Sequence, residues 1–549
     1  MTAVPSSPPV PPVPSGPSAP SVLRVFGDRP FAEIGRPSVT VADGRSRLIA
    51  VGGDVGSLQW SGSGTADQRW TGHRIGVYDQ RGLRCRHLLR SRYPVNSLAF
   101  HPVLPLLAVG TGQYDGGYNF EGELLLVRTD TGEAVSALPH PREVLHVEWP
   151  AATTLRMVMA PLDDWDDPRA HEQGHTVAIE RADWAAVGSG GIDPPELHAP
   201  AAPFDRPDLG EDARRMLTGL AAAAGREWSP GPRAWAVEAL ADGRVLAARD
   251  GVLAEAWLPS GERQWGVEDE LGGRQLVPSG DGTSVWVNAE RRRPWWPEST
   301  EPSDPLVVRL DAADGAVLAT VPVPTYVTLV AGGGRVVLRP RDNQDESPGH
   351  LLLAGPDGTF SEGAEITDYD LINHSFPVRR ATRPYVLVGA DQEEPHKDKW
   401  IAAVGADGTP RPLVPHSWEP GEHHFGGPAA ENGQCLLYAG TVYDGRGLQP
   451  GGAFVVRRSL TDGAVRWQHR ADVPATALDT DGELVHVAWN DGTLVALDAA
   501  DGSVRWRTEL RVHGVPTVAL SLTVAPDGGL LAGTVDGRIL RLGRPADTP

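Results

Sequence analysis

The stretch GELVHVAWNDGTLVALDAADGSVRWRT, Gly482–Thr508, decides the fold. Two short apolar runs flank Asn490-Asp491-Gly492, and a third follows the Asp501-Gly502 turn. Short alternating runs broken by Asp-Gly pairs are β-hairpins, because glycine supplies the positive φ that tight turns require. The stretch therefore reads as three consecutive antiparallel strands.

The same cadence recurs along the chain. It appears as RIGVYDQRGLRCRHLL (74–89), ELLLVRTDTGEAVSAL (123–138), EAWLPSGERQW (255–265) and LVVRLDAADGAVLAT (306–320). It continues as HLLLAGPDGTF (350–360), WIAAVGADGTPRPL (400–413) and AFVVRRSLTDGAVRWQ (453–468). A further hairpin precedes these markers, as in NSLAFHPVLPLLAVG (96–110) and ATALDTDGELVHVAW (475–489). Each unit thus holds four strands in about 40 to 55 residues, the size of one propeller blade. The expected architecture is an all-β propeller of about 8–10 four-stranded blades, with ten blade-like units read from the sequence. The final unit, 517–543, has only three strands, and SVLRVFG (21–27) is the candidate fourth. Such closure by the two termini removes exposed sheet edges. PDLGEDARRMLTGLAAAAGREW (207–228) breaks the pattern and predicts a helix, inserted at about 205–228, whose Leu209, Met216, Leu217 and Leu220 must bury against the ring. Residues 1–20, rich in Pro, Ser and Ala, predict a disordered tail, so the propeller is expected over 21–549.

These repeats resemble the WD40 and quinoprotein-like (PQQ-type) propeller families. VYDQRG and ALDAADG stand where WD40 repeats carry Trp-Asp, and DGAVRW and DGSVRW resemble the ends of quinoprotein-like repeats. The resemblance implies fold rather than function, since such propellers host many roles. Two departures stand out: no true Trp-Asp pair with its upstream Gly-His, and no adjacent cysteine pair of the kind quinoprotein dehydrogenases stack on their cofactor.

Composition narrows the function classes. Fifty basic residues against 71 acidic ones give a net charge of -21, which argues against nucleic acid and against anionic membrane as partners. Only Cys85 and Cys435 occur, in no metal-ligand spacing, which suits a reducing cytoplasm. No stretch approaches a membrane span, and the first arginine is Arg24, so no secretory signal is expected. Lysine occurs only at 397 and 399 while arginine is abundant, which points to a GC-rich bacterial genome.

The long insertions cluster at one connection, between second and third strands: 53–72, 110–122, 161–174, 288–305, 339–349, 389–400 and 440–452. In a four-stranded meander alternate connections share one side, so these loops predict one crowded face. Acidic residues such as Asp54, Asp115, Asp163, Asp164 and Asp167 fill it, interleaved with Trp60, Trp70, Tyr114, Tyr118, Trp165, Trp295, Trp296, Trp400 and Tyr443. Aromatic residues on loops of a rigid scaffold are favoured binding anchors, and these nine are the candidate binding residues.

His171-Glu172-Gln173-Gly174-His175 matches the H-E-x-x-H pattern of zinc proteases, which requires a helix. GHTVAIERAD falls in register with GHRIGVYDQR (72–81), so a strand is expected and the two imidazoles should splay apart. No nucleophile elbow or phosphate loop occurs. The expectation is a non-catalytic cytoplasmic scaffold without cofactor or metal, binding a protein partner with a basic surface. The competing class is an enzyme at the mouth of the ring, hydrolase or quinoprotein-type.

Overall fold

The computed structural model describes residues 19–544 apart from 57–71, 166, 270–271, 290–305, 324–326, 341–348, 356–358, 367–375, 390–398 and 443–447. Among the described residues ten blade-like, mainly antiparallel sheets follow one another along the chain, besides a two-stranded ribbon of Arg511–Val512 and Val515–Pro516. Numbered in order, blades one to three span 36–91, 95–136 and 144–203; blades four to six span 234–268, 273–322 and 327–366. Blade seven spans 385–415, eight 429–471, nine 475–509 and ten 519–542. Strand Val22–Phe26 pairs antiparallel with Ile539–Leu542 and completes blade ten, as the sequence anticipates.

The ten sheets divide into two groups. In blades four to ten the innermost strands pack in series, and Ala519–Val524 of blade ten lies against both Ala475–Thr480 of blade nine and Ala234–Ala239 of blade four. Seven blades therefore make the closed ring. Blades one to three pack in series through Arg36–Asp43, Val95–Phe100 and Val144–Ala151 and form an open arc, inserted between the strand that closes the ring and blade four. Among the described residues, no comparable packing joins blade three to blade four.

Side-chain patterning explains the division. Strand Leu484–Trp489 of the ring is buried almost throughout, as a strand covered on both faces must be. Strand Gln173–Glu180, on the last blade of the arc, buries Val177 and Ile179 but exposes Thr176, Ala178 and Glu180. That polar face ends the stack as a capping repeat does. The other end of the arc is covered by helix α1, Gly210–Ala223. Its Leu217 and Ala221 pack on Ile49, Val51 and Tyr78 of blade one, with Leu220 alongside. The helix is shorter than 207–228 and Met216 is exposed, because only the 213–217–221 stripe faces the sheet.

A recurring interlock joins neighbouring blades. In blades five, seven, eight and nine the glycine of the Asp-Gly turn between the last two strands, Gly315, Gly408, Gly463 and Gly502, sits over a side chain of the preceding blade. Gly502 of blade nine, at φ +75, lies over the Trp467 ring of blade eight, and Gly315 of blade five, at φ +77, lies over Trp265 of blade four. The Trp467 indole N–H also donates to the Ala499 carbonyl at 2.9 Å. The Trp that ends DGAVRW is thus a ratchet tooth for the next blade, which gives the repeat its physical meaning.

Blade seven departs from the pattern with three strands, Tyr385–Gly389, Lys399–Val404 and Pro410–Pro415. The preceding Val378–Arg379 pairs in parallel with Ala429–Asn432 of blade eight instead.

Ring and arc meet at a buried ionic cluster. Arg538 of blade ten donates to Asp536 at 2.6 and 3.2 Å and to Glu33 at 3.1 Å. Arg74 of blade one donates to the Glu33 carbonyl at 2.8 Å, and the Tyr78 hydroxyl donates to the Glu33 carboxylate at 3.2 Å. Thr517 also donates to Asp536, at 2.7 Å. Burial alone would raise the Asp536 carboxyl, but the Arg538 guanidinium outweighs it and holds the group at about 2.

Candidate functional site

Two places gather chemistry, one on the arc and one on the ring axis. On the arc, the second-to-third-strand hairpins of blades two and three lie side by side. Backbone bonds zip them: Asp164 N–H donates to the Tyr118 carbonyl at 3.1 Å, and Phe120 N–H to the Leu162 carbonyl at 3.2 Å. Asn119 and Asp163 form an antiparallel bridge between them. The zip carries Tyr118 and Trp165 into a stack with centroids 4.0 Å apart and planes at 24°. The pair remains exposed, at 48% and 66%, and neighbouring Leu162 is 62% exposed.

Beneath the stack lies a firmer layer. The His171 ring meets Tyr114 edge-on at 4.7 Å and Phe120 at 4.9 Å, and its Nε2 lies 3.2 Å from Asp164 Oδ2. Carboxylates surround the platform. Asp115 accepts from the Asn119 amide and from the N–H groups of Gly117, Tyr118 and Asn119, which holds it well below the usual carboxylate range. Asp163 accepts from Trp165 N–H at 3.3 Å. Asp167 is likewise held low, by the Arg169 N–H and the Gln173 amide. The result is an exposed aromatic ledge with an acidic surround.

His171 closes a short 3-10 turn, Ala170–Glu172, whereas His175 lies in strand Gln173–Glu180. The His175 Nδ1 bonds the Ala199 carbonyl at 2.7 Å, on other partners than His171. The H-E-x-x-H pattern is therefore split across a turn and a strand, as its register implied.

On the ring axis, a cavity of about 1130 Å³ is lined by the innermost strands. At the end where those strands begin, Asp250 organises three neighbours. It accepts from Arg233 Nε at 2.8 Å, from the Trp235 indole N–H at 2.7 Å and from Arg274 Nη1 at 2.6 Å. The guanidiniums of Arg233 and Arg274 lie 4.6 and 4.2 Å from the Trp235 ring centroid, in cation–π contact. Val55 of the arc packs with Val518, Leu520, Val535 and Trp235, so the first blade of the arc abuts this end.

At the opposite end a strap crosses between blades. Arg379 donates to both Glu238 oxygens of blade four at 2.7 and 2.8 Å and to Thr523 of blade ten at 2.8 Å. Arg380 donates to both Asp479 oxygens of blade nine at 2.8 and 3.1 Å. Burial opposes charge on Asp479, but Arg379 and then Arg380 keep its pKa lowered. Two guanidiniums meet two carboxylates here, so the strap is internally neutral.

The family described as outer membrane protein assembly factor BamB matches residues 400–543, roughly a quarter of the chain, spanning most of blade seven and blades eight to ten. The chain carries PQQ-type propeller repeats. Among solved structures, BamB from Moraxella catarrhalis is 15% identical, covering 56% of this chain and 92% of its own, with a TM-score of 0.36. A mitotic checkpoint complex chain is 13% identical (57% and 90% covered, TM-score 0.42), and a streptogramin B lyase is 13% identical (57% and 93%, TM-score 0.40). No curated protein sequence matches the chain.

Of the nine aromatic residues read as candidate anchors, the structure brings Tyr114, Tyr118 and Trp165 together. Tyr114 is half-buried in the supporting layer rather than exposed. Trp400 lies apart on the propeller ring, half-buried in strand Lys399–Val404 of blade seven. Trp60, Trp70, Trp295, Trp296 and Tyr443 lie outside the described residues, as does most of the 1–20 tail. The sequence reading missed His171 and Phe120 as supports, and it missed the Arg233–Trp235–Arg274 constellation. The signal for the last was thin: an Arg two residues before a Trp at a strand start, with its organising Asp250 in the turn after the next strand of the same blade.

Proposed function

We propose that this PQQ-type propeller is a non-catalytic scaffold that recognises a protein partner through the Tyr118–Trp165 ledge. The observation that carries the reading is the exposed stack itself. Contiguous apolar exposure on a soluble surface marks interaction sites, and Trp and Tyr are over-represented among interface hot spots. The backbone zip between blades two and three supports the reading further, because a ledge fixed before binding loses little entropy on association. Asp115, Asp163 and Asp167 around it suit a partner presenting arginine or lysine, whose cation stacks on the indole face. A bacterial cytoplasm as the setting is part of the proposal and is checked by fractionating the native host.

The test compares the intact protein with Tyr118→Ala and Trp165→Ala. Titration with an arginine-rich peptide, followed by Trp fluorescence and calorimetry, should show salt-sensitive binding to the intact chain. A hot-spot residue is worth about 2 kcal/mol or more, so each substitution should weaken binding roughly thirty-fold. Partner capture from the host should fall in parallel. Equal capture by intact and doubly substituted protein would remove the reading.

A further inference from the structure

The strap at one end of the ring axis stands where a strand would be expected. Each of the other six blades of the ring opens with an innermost strand on its own sheet, whereas among the described residues blade seven begins at Tyr385–Gly389. The chain just before it arches across the mouth of the axial cavity, and residues 377–381 line that mouth. Both ends of the arch are anchored. Phe376 is buried with Tyr385, Leu387 and Tyr438, and Thr382 donates through its N–H and its hydroxyl to Glu431 at 2.6 and 2.7 Å. Between the anchors only Val378 and Arg379 pair with a strand, in parallel with Ala429 and Ala430, while the Ala381 carbonyl accepts from Gly333 N–H. What the arch delivers is a pair of guanidiniums. Arg379 meets both Glu238 oxygens and Thr523, with its Nε 3.4 Å from Asp479, and Arg380 meets both Asp479 oxygens and the Val524 carbonyl at 3.0 Å. Blades four, nine and ten thus supply the acceptors. Asp479 is held without help from the strap, since it accepts from Val524 N–H at 2.7 Å and from Thr480 N–H at 2.9 Å.

We propose that this mouth is a recognition site for a peptide segment bearing adjacent arginines, and that the strap is its resident ligand, an autoinhibitory contact that such a segment displaces. Three features converge on that reading. Two carboxylates are each met by paired N–H donors, a geometry that the guanidinium fork supplies and an ammonium group does not. The acceptors are set in advance by backbone donors, so an incoming arginine pair loses little entropy in ordering them. The resident ligand is itself held under strain. Arg380 stands at φ +54, a left-handed conformation that costs an L side chain free energy, and its side chain is 42% exposed, so exchange starts from solvent. A segment that delivers its arginines from extended backbone avoids that cost. Asp479 is fully buried and cannot be left without a cation, so the strap withdraws only as another guanidinium arrives. The strap competes at the effective concentration of a tethered group, which makes the intact chain the weaker binder. The mouth lies on the ring axis, apart from the arc ledge, and does not rest on the function proposed for that ledge.

The probe is the capped dipeptide N-acetyl-Arg-Arg-amide, titrated calorimetrically into full chains that all carry Trp165→Ala, so that the ledge does not contribute. With Arg379→Ala and Arg380→Ala together, the chain should bind it saturably and gain in thermal midpoint, because the peptide returns cations to Glu238 and Asp479. The chain with its strap intact should bind at least about ten-fold more weakly. Adding Glu238→Gln to the strap variant should weaken binding about ten-fold, and the corresponding Lys-Lys dipeptide should bind that strap variant less well than Arg-Arg. Amide exchange follows the intact strap directly: the Arg-Arg peptide at about 10 mM should speed exchange over residues 376–382 and leave blades one to three unchanged. That measurement decides alone if the strap variant fails to fold. Absence of binding to the folded strap variant at about 10 mM overturns the proposal, as does equal affinity with and without the strap arginines, or exchange over 376–382 that the peptide leaves unchanged.

Discussion

Asp536→Asn tests the joint between ring and arc. The carboxylate is fully buried and accepts from Arg538 twice and from Thr517, while Arg538 is itself fully buried. The amide keeps the shape and removes the charge, leaving Arg538 with Glu33 as its remaining anionic partner. The folded carboxyl sits at about 2 against an ordinary 3.8. A depression of that size corresponds to about 2–3 kcal/mol. Breaking a buried ion pair by removing one partner typically costs about 3–5 kcal/mol, because the other charge is left uncompensated. The expected loss is therefore about 3 kcal/mol. Equilibrium urea unfolding followed by Trp fluorescence reads it, with the exposed pair partner Arg466→Gln as the surface control. Because the cluster ties blade one to blade ten, limited proteolysis should also cut the variant first between α1 and blade four. The pH dependence has a definite sign. A carboxylate with a depressed folded pKa contributes its full stability above about 3.8 and loses it as pH falls through about 2. The intact protein should show this acid-dependent loss and the Asn variant should not. An Asp536→Asn protein as stable as the surface control would refute the account.

Three further outcomes follow from the packing. Gly502→Ala places a Cβ 2.8 Å from the Trp467 ring at φ +75, and should destabilise by about 1–3 kcal/mol in thermal unfolding, whereas Gly482→Ala, in open space, should suffer only backbone strain. Leu217→Asp puts a charge between α1 and blade one and should release the helix, seen as faster amide exchange over Gly210–Ala223, while Met216→Asp should be tolerated. Burial depresses the His424 imidazole to about 4 despite its 2.8 Å bond to Glu422. Its contribution to stability is complete above the ordinary value of about 6.5 and declines as pH falls towards 4, so His424→Gln should flatten the stability profile across that window.

The candidate site was legible only in part. Tyr118 and Trp165 could be picked from the sequence because each is an aromatic residue in an Asp-rich insertion. That they stack was not legible, since the contact depends on two hairpins in adjacent blades meeting edge to edge. The Arg233–Trp235–Arg274 group was hidden for a related reason: its members begin the neighbouring blades four and five and converge only when those two sheets pack side by side.

Local chemistry, by contrast, is written in the chain. Asp-Gly turns set the hairpins, strand alternation sets the blades, and the terminal strand Val22–Phe26 is recognisable by its missing partner. Even the end of the arc is encoded locally, in the single apolar face of HTVAIE against the two-faced LVHVAW. How many blades close the ring is not. Ten sheets look alike in sequence, and whether seven or ten share one axis depends on the angle at which whole sheets pack. That angle is the sum of many interlocks such as Gly502 on Trp467, together with the capping of blade one by α1 and the buried Arg538–Asp536–Glu33–Arg74 joint. Each of those contacts joins residues distant in sequence, so only the tertiary structure decided the division into ring and arc.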